Sequence, residues 1–278
     1  MTVKPLDNVP FESIMDCFLA SFKNYFVEMP TDLQYYKKRW ENARVRYDLS
    51  YGMFDGDVLV GFIINGIDER NGEVIAFNTG TGVLPEYRGK RIVKSIYKYA
   101  IKDLKQHHIT KCSLEVIQDN IVAIKSYESI GFQKCKYYKC FKGEMQNHDI
   151  VNVNLNEITY KQLDWENIPN QEFYSWDNHK NSIKNGDYRY IQVLKDNTPE
   201  SYFIINSSNG YLAQFDVMSQ NKSSWDRLFS GIKIISDTVK INNVDDRLHD
   251  KLEYLNTIGL KNTVDQYEME LNIGELYY

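Results

Sequence analysis

The chain of 278 residues has little of what marks several large classes of protein. It contains only four cysteines, which are Cys17, Cys112, Cys135 and Cys140. None of them forms a Cys-x-x-Cys pair or has a histidine at the spacing of zinc ligands. A disulfide scaffold and a zinc finger are therefore excluded. We expect no metal, and four buried thiols in a reducing compartment.

Long apolar runs are also absent. No run approaches the roughly 18 residues that would cross a membrane, and the first residues do not have the charged-then-apolar order of a signal peptide. The formal net charge of −5 lacks the basic excess of a typical nucleic-acid binder. We therefore expect a cytoplasmic protein with no membrane or nucleic-acid partner.

The most informative stretch is residues 79–94, Thr-Gly-Thr-Gly-Val-Leu-Pro-Glu-Tyr-Arg-Gly-Lys-Arg-Ile-Val-Lys. An apolar strand precedes it, Pro85 ends the strand, and a helix begins near Arg91. The first amides of a helix lack internal partners and carry partial positive charge, to which four basic side chains of this stretch add. The pattern predicts an anion site suited to a pyrophosphate. A solvated basic turn without a ligand is the alternative that the turn alone leaves open.

A second strand and helix follow in residues 112–132. The strand covers 113–117, and Asp119 or Asn120 is the candidate N-cap of the helix. Apolar side chains recur on one face of this helix around Tyr127. Gly131 suits its C-terminal end, because glycine adopts a positive φ without a Cβ penalty.

Together, over residues 55–141, these segments resemble the GNAT superfamily of acetyl-CoA-dependent acyltransferases. The resemblance is to protein N-acetyltransferases whose second motif reads Leu-Glu-Val, then Asn, Ala, Tyr and Gly-Phe. The corresponding residues here are Leu114, Glu115, Val116, Asn120, Ala123, Tyr127, Gly131 and Phe132. The resemblance implies an α/β (α+β) GNAT fold with a mixed, mostly antiparallel central sheet flanked by helices. It also implies direct transfer of an acetyl group from acetyl-CoA to a primary amine in a ternary complex.

The resemblance further implies roles for individual residues. The cofactor-binding set consists of the pantetheine-binding Thr81, Gly82, Val83 and Asn120, and the pyrophosphate-binding Arg88, Gly89, Lys90, Arg91, Ile92, Val93 and Lys94. Tyr127 would protonate the departing CoA thiolate, or else be a core aromatic. Glu115 matches the position that some members use as general base, but it could also point outward. Asp119 and Glu73 are weaker candidates for the base.

The chain departs from the family pattern Arg/Gln-x-x-Gly-x-Gly/Ala, because Arg91 and Val93 replace both later glycines. The main-chain amide donors are present whatever side chain the residue has. A Cβ at Arg91, however, leaves less space for a pyrophosphate to approach the backbone. Two further hypotheses therefore remain beside the enzyme. One is a non-catalytic acyl-CoA-binding regulatory protein, and the other is an interaction scaffold that does not bind CoA.

Phenylalanines four residues apart predict a helix from Pro10 to about Met29, and Thr31-Asp32 precedes a second helix. In the resembled fold these two helices line the acceptor pocket. The candidate residues for contact with the amine, which could equally be core, are Tyr25, Glu28, Tyr35, Tyr36 and Trp40. A β-hairpin is predicted over residues 51–64, and a turn at Asn71-Gly72.

The polar stretch 142–149 predicts a boundary between a catalytic domain, 1–145, and a smaller domain, 146–278. Thr257-Ile258-Gly259-Leu260 echoes Ser129-Ile130-Gly131-Phe132 at a spacing of 128 residues, so the second domain is predicted to be a degenerate GNAT-like copy. At that spacing Leu255 replaces Tyr127, and no cofactor site is expected there. The sequence does not name the amine acceptor, small molecule or peptide, and it is compatible with a homodimer.

Overall fold

A computed structural model describes residues 1–23, 25–70, 72–146, 150–219 and 221–274. Its helices are α1 (Phe11–Ser21), α2 (Leu33–Asn42), α3 (Ile92–Gln106), α4 (Ile121–Glu128), α5 (Lys180–Ile183), α6 (Lys222–Ile235) and α7 (His249–Thr257). Its strands are β1 (Thr2–Pro5), β2 (Tyr51–Asp55), β3 (Val58–Arg70), β4 (Glu73–Val83), β5 (Lys111–Ile117), β6 (Gln133–Glu144), β7 (Asn154–Ile158), β8 (Arg189–Lys195), β9 (Thr198–Asn206), β10 (Tyr211–Val217), β11 (Thr238–Asp245) and β12 (Lys261–Asn272). Asn71 of the predicted turn and residues 147–149 of the predicted linker lie outside the described residues.

Within these described ranges, no helix has both the length and the apolar character needed to cross a membrane. The chain divides into two compact units. The first contains residues 1–116, 120–135 and the C-terminal stretch from Glu268, and the second contains Ile117–Asp119 and Lys136–Tyr267. A domain boundary after residue 145 stays a prediction.

The sheet of the first unit is mostly antiparallel. Strands β1 to β4 pair in chain order and antiparallel, and β5 joins the edge of β4 in parallel. The predicted hairpin over 51–64 is present as β2 and β3, with Gly56 at φ +59 in its turn. Helix α1 packs on β3 and β4, and α3 packs on β2, β3 and β4. The predicted mixed sheet flanked by helices is therefore confirmed.

Helix α1 is shorter than predicted. It ends at Ser21 rather than near Met29, and Phe26, which continues the apolar repeat, is 57% exposed. The main-chain oxygen of Ser21 accepts a hydrogen bond from Arg88 Nη2 at 2.8 Å. A Cβ on Gly82 would lie 2.7 Å from the Ser21 Cβ, so the helix end is seated on β4. These long-range contacts place the helix end, and a local repeat cannot reveal them.

The second unit repeats the order of the first. Strands β8, β9 and β10 are antiparallel neighbours, α6 follows, β11 pairs in parallel with β10, and α7 and β12 come last. Gly131 and Gly259 follow α4 and α7 with φ of +116 and +87. The echo in the sequence therefore reflects a repeat of the fold.

Three cysteines are buried as predicted, but Cys135 is exposed, and the prediction of a buried thiol there was wrong. Cys135 lies in the first residues of β6, which are exposed. Its Sγ is 3.5 Å from the main-chain oxygen of Glu268. Strand position, which the sequence does not reveal, decides the exposure of this thiol.

Tyr36 in α2 gives a test of the packing of the first unit. Its side chain is 1% exposed, it contacts the rings of Phe18 and Trp40, and its hydroxyl has no hydrogen-bond partner among the described residues. A buried unsatisfied polar group costs about 1–3 kcal/mol. Tyr36→Phe should therefore raise the free energy of unfolding by about 1 kcal/mol, measured by urea denaturation.

The matched control for this test is Tyr97→Phe. The Tyr97 hydroxyl is equally buried but accepts a hydrogen bond from Asn78 Nδ2 at 2.7 Å. Its removal should lower the free energy of unfolding by about 1 kcal/mol. If Tyr36→Phe destabilises the protein as much as the control does, the hydroxyl is satisfied and our description of this cluster is wrong.

Candidate active site

The candidate site begins where β4 and β5 separate. Their parallel ladder runs only from Ile75 opposite Lys111 to Asn78 opposite Leu114, although β4 continues to Val83 and β5 to Ile117. A bulge lies in β4 at the same level, because Asn78 pairs with Asn65 while Gly80 pairs with Ile64. Past this point β4 is no longer paired with β5, and we call this separation the gap.

Asn78 organises the bulge. Its Oδ1 accepts from the Gly80 amide at 3.0 Å, and its Nδ2 donates to Thr81 Oγ1 at 2.5 Å and to the Tyr97 hydroxyl at 2.7 Å. The sequence does not reveal these contacts, and the local sign of them is an asparagine within an apolar strand. The contacts orient Thr81 at the gap.

The turn after β4 leads into the N-terminus of α3. Gly89 has φ +76, and a Cβ there would meet nothing within 4 Å. Arg91 is the N-cap of α3, with the left-handed φ of 57, and makes no capping hydrogen bond through its side chain. The first amides of a 15-residue helix are thus not covered by a cap, which fits the binding of a diphosphate.

The basic side chains of the turn contact different parts of the first unit. Arg88 donates to the main-chain oxygens of Ser21 and Val83, and Lys94 Nζ donates to the oxygen of Ser129 at 2.9 Å. Lys90 Nζ lies 4.5 Å from the centre of the Tyr87 ring. Arg88 and Lys94 therefore hold the turn and α3 in place, so the anion site depends mainly on the amides.

Tyr127 lies in α4 with its phenol beside the gap. The side chain is 8% exposed and contacts the rings of Tyr97 and Phe132. Burial raises the pKa of Tyr127 from its usual 10.0 to about 12, and a hydrogen bond with the Thr81 side chain opposes part of this shift. The phenol therefore holds its proton at neutral pH, next to a residue of the bulged strand.

Asn120 is the N-cap of α4. Its Oδ1 accepts from the Ala123 amide at 3.2 Å, and its Nδ2 lies 3.5 Å from the Tyr25 hydroxyl. Tyr25 was a candidate to touch the acceptor, and it contributes electrostatically to the raised pKa of Tyr127. The structure thus brings Tyr25, Thr81, Asn120 and Tyr127 together.

The candidate bases lie at different places. Glu115 is the first residue of β5 beyond the parallel ladder, and it is half-buried. Glu73 begins β4 and pairs with Lys111 at 3.0 Å, at the other end of the strand from Val83. Asp119 is exposed. Position along the strand therefore favours Glu115 over Glu73.

The remaining acceptor candidates separate by burial. Tyr36 and Trp40 belong to the core between α1 and α2, whereas Tyr35 and Glu28 are exposed. The first pair fits the core interpretation of these aromatics. Contact with an acceptor is therefore a better hypothesis for Tyr25, Tyr35 and Glu28.

The comparisons with known proteins agree with this fold. The model of the acetyltransferase (GNAT) family matches residues 11–132, which are less than half of the chain. The fold is the GNAT fold, and it continues into a second GNAT-like region. No curated protein matches the chain in a sequence comparison.

Solved structures resemble the chain over nearly its whole length. A tandem GNAT protein from the clavulanic acid biosynthesis pathway has a TM-score of 0.68 at 12% identity, covering 99% of each chain. A GCN5-related N-acetyltransferase from Sphaerobacter thermophilus has a TM-score of 0.69 at 8% identity, covering 98% of this chain and 95% of that one. A putative acetyltransferase from Pyrococcus horikoshii has 0.64 at 14% identity, covering 99% and 91%. At these identities the likeness concerns the fold.

The left-handed conformation of Arg91 gives a second prediction. A residue with a Cβ pays about 1 kcal/mol or more in this conformation, whereas glycine does not. Arg91→Gly and Arg91→Ala both remove the guanidinium, but only the first removes the Cβ. The free energy of unfolding of the glycine variant should therefore be higher than that of the alanine variant by about 1 kcal/mol. Equal stabilities would show that Arg91 is not held in this conformation.

Asn120 gives a third prediction, in which two substitutions separate its two contacts. Asn120→Ala loses the cap and should cost about 1 kcal/mol of stability, while Asn120→Asp keeps an acceptor for the Ala123 amide and should stay near the wild type. Both lose Nδ2, the implied donor to pantetheine, so both should raise the KM for acetyl-CoA. A wild-type KM in Asn120→Asp would remove Nδ2 from the site.

Proposed function

We propose that the first unit transfers an acetyl group from acetyl-CoA to a primary amine, directly and within a ternary complex. The observation that carries this proposal is the protonated phenol of Tyr127, buried beside the gap between β4 and β5 and hydrogen-bonded to Thr81. The family match supports acyl transfer, and the phenol supplies the acid that such transfer needs.

In this proposal the cosubstrate is held by main-chain groups. The amides of residues 89–94 bind the diphosphate, and their positive field is the sum of the helix dipole and the local basic charge. The edge of β4 at Thr81, Gly82 and Val83 binds the pantetheine arm, with Asn120 Nδ2 as a further donor. The bound thioester supplies an activated acetyl carbonyl.

The proton movements follow from the side chains. The amine must be neutral to attack the carbonyl, and Glu115 takes its proton, directly or through water. The carbon–sulfur bond breaks as the carbon–nitrogen bond forms, and Tyr127 gives its proton to the departing sulfur. The nitrogen loses one proton as it becomes the amide, and this proton returns through water to the Tyr127 phenolate. No covalent enzyme intermediate is needed.

The acceptor is a small-molecule or peptide amine, and we place the reaction in the cytoplasm. Polyamines, aminoglycosides, amino acids, peptide N-termini and lysine side chains are all amines of the required kind. In the second domain, 146–278 in our proposal, Leu255 stands at the position that corresponds to Tyr127.

Tyr127→Phe tests the acid. Without the phenolic proton, kcat should fall by about 100-fold, with little change in the KM for acetyl-CoA. The matched control is Tyr99→Phe, which removes a hydroxyl from the exposed side of α3 and should leave kcat unchanged. Thiol release over a panel of amines provides the measurement. A Tyr127→Phe enzyme with wild-type kcat would eliminate this assignment.

The same acid determines the alkaline pH behaviour. Burial raises the pKa of Tyr127 above the ordinary value, so the proton is present below pH 10 and is lost only as the pH rises toward about 12. The wild-type kcat should therefore show no loss attributable to this group below pH 10.

Calorimetry with acetyl-CoA, combined with the thiol-release assay, separates three cases. An enzyme gives binding heat and thiol release, a non-catalytic binding protein gives binding heat alone, and a scaffold that does not bind CoA gives no binding heat.

A further inference from the structure

The bulges in β4 and β10 allow the two units to be compared residue by residue. In β4 the extra residue is Thr79, and the strand ends four residues later at Val83. In β10 Leu212 pairs with Ile205 and Gln214 with Ile204, so the extra residue is Ala213, and this strand also ends four residues later. The equivalent of Thr81 is therefore Phe215.

The second unit also keeps the separation of its parallel strands. Among the described residues, β10 and β11 pair only at Tyr211 and Lys240. Both strands run on beyond this pair, to Val217 and Asp245. The fold therefore retains the place where a gap lies in the first unit.

In the second unit this place is taken by the chain's own side chains. The Phe215 amide donates to the Tyr174 hydroxyl at 3.2 Å, and the Phe215 oxygen accepts from the same hydroxyl at 3.0 Å. The Phe215 oxygen also accepts from Lys251 Nζ at 2.7 Å. Both main-chain groups that the equivalent Thr81 would offer to a pantetheine are thus engaged.

A buried ion pair fixes this arrangement. Lys251 is 3% exposed, and its Nζ donates to Asp216 Oδ2 at 2.9 Å, an oxygen that also accepts from Asn170 Nδ2. The next amide, of Val217, donates to Asp216 Oδ1. Because a buried charge without its partner is strongly unfavourable, Lys251 cannot leave this position at low cost.

The N-terminus of α6, which corresponds to the N-terminus of α3 in the first unit, is capped by a side chain of the protein itself. Asn221 is the N-cap of α6, and its Oδ1 accepts from the Ser224 amide at 3.0 Å. In α3 no side chain takes this position. A cavity of about 250 Å³ lies beside the ion pair, between Asp216, Trp225 and residues 247–251.

We propose that Tyr174 and Lys251 permanently occupy the cosubstrate cleft of the second unit, so that each chain binds one CoA, in the first unit. The count of one rests on the proposed function, whereas the occupied cleft concerns the second unit alone. Tyr174 and Lys251 are thus internal replacements for a ligand.

The occupied cleft is tested without any ligand. Tyr174→Phe removes the acceptor of the Phe215 amide, so hydrogen exchange at that amide should accelerate by about tenfold in the full-length protein. The control is Tyr211→Phe, in which the hydroxyl lost belongs to the same strand but donates to Asn178 Oδ1, so the Phe215 amide should be unchanged. Unchanged exchange at Phe215 in Tyr174→Phe would overturn the proposal.

The second measurement is calorimetric titration of the wild-type chain with CoA, combined with hydrogen exchange in its presence. We expect one CoA per chain, with protection in 81–94 and none in 214–217 or 249–254. Two CoA per chain, or protection in the latter segments, would contradict the proposal. Absence of CoA binding would instead contradict the proposed function, and the exchange rate of Phe215 would still decide whether the cleft is occupied.

Discussion

The side chain of Asn78 is the contact on which the candidate site depends. Its oxygen holds the Gly80 amide and its nitrogen holds Thr81 and Tyr97, so a single amide shapes the bulge and joins β4 to α3. Parallel pairing with β5 ends at this residue. Because Thr81 in turn contacts the phenol of Tyr127, the acid and the open strand edge are positioned by the same network.

The two units have the same fold, but the main-chain groups at equivalent positions have different hydrogen-bond partners. Both have a bulged strand whose parallel neighbour separates from it. In the first unit, the main-chain groups at the unpaired edge of β4 and the first amides of α3 are polar groups to which a ligand can hydrogen-bond. In the second unit Tyr174, Lys251 and Asn221 satisfy the corresponding groups. Buried main-chain groups require partners, and here the choice lies between a ligand and the protein itself.

Arg91 has a backbone conformation at the anion site that is unfavourable for its residue type. The turn requires a left-handed residue, which glycine adopts at little cost, and the chain has an arginine there. The conformation survives because Arg88 and Lys94 fix the two ends of the turn to α1 and to the end of α4. Local strain of this kind is common where a backbone must present its amides to a ligand.

Much of the fold was readable from local patterns. The apolar repeat predicted α3, Gly131 and Gly259 marked two helix ends, and Asp32 caps α2 through the Gln34 amide as expected. The echo between the two glycines correctly indicated a repeated fold. The early end of α1 and the exposure of Cys135 could not be read, because they depend on Arg88 and on strand position.

For the site, the sequence by itself determined the residue types: a basic turn, a glycine, a capping asparagine and a tyrosine four residues before the helix-ending glycine. These follow from short-range rules of capping, dipole and periodicity. Only the tertiary structure decided that Thr81 meets Tyr127, that Tyr25 approaches Asn120, and that Tyr174 and Lys251 fill the second cleft. Each of these contacts joins residues far apart in the chain, and their geometry is set by packing and hydrogen bonding across the fold, which no local pattern records.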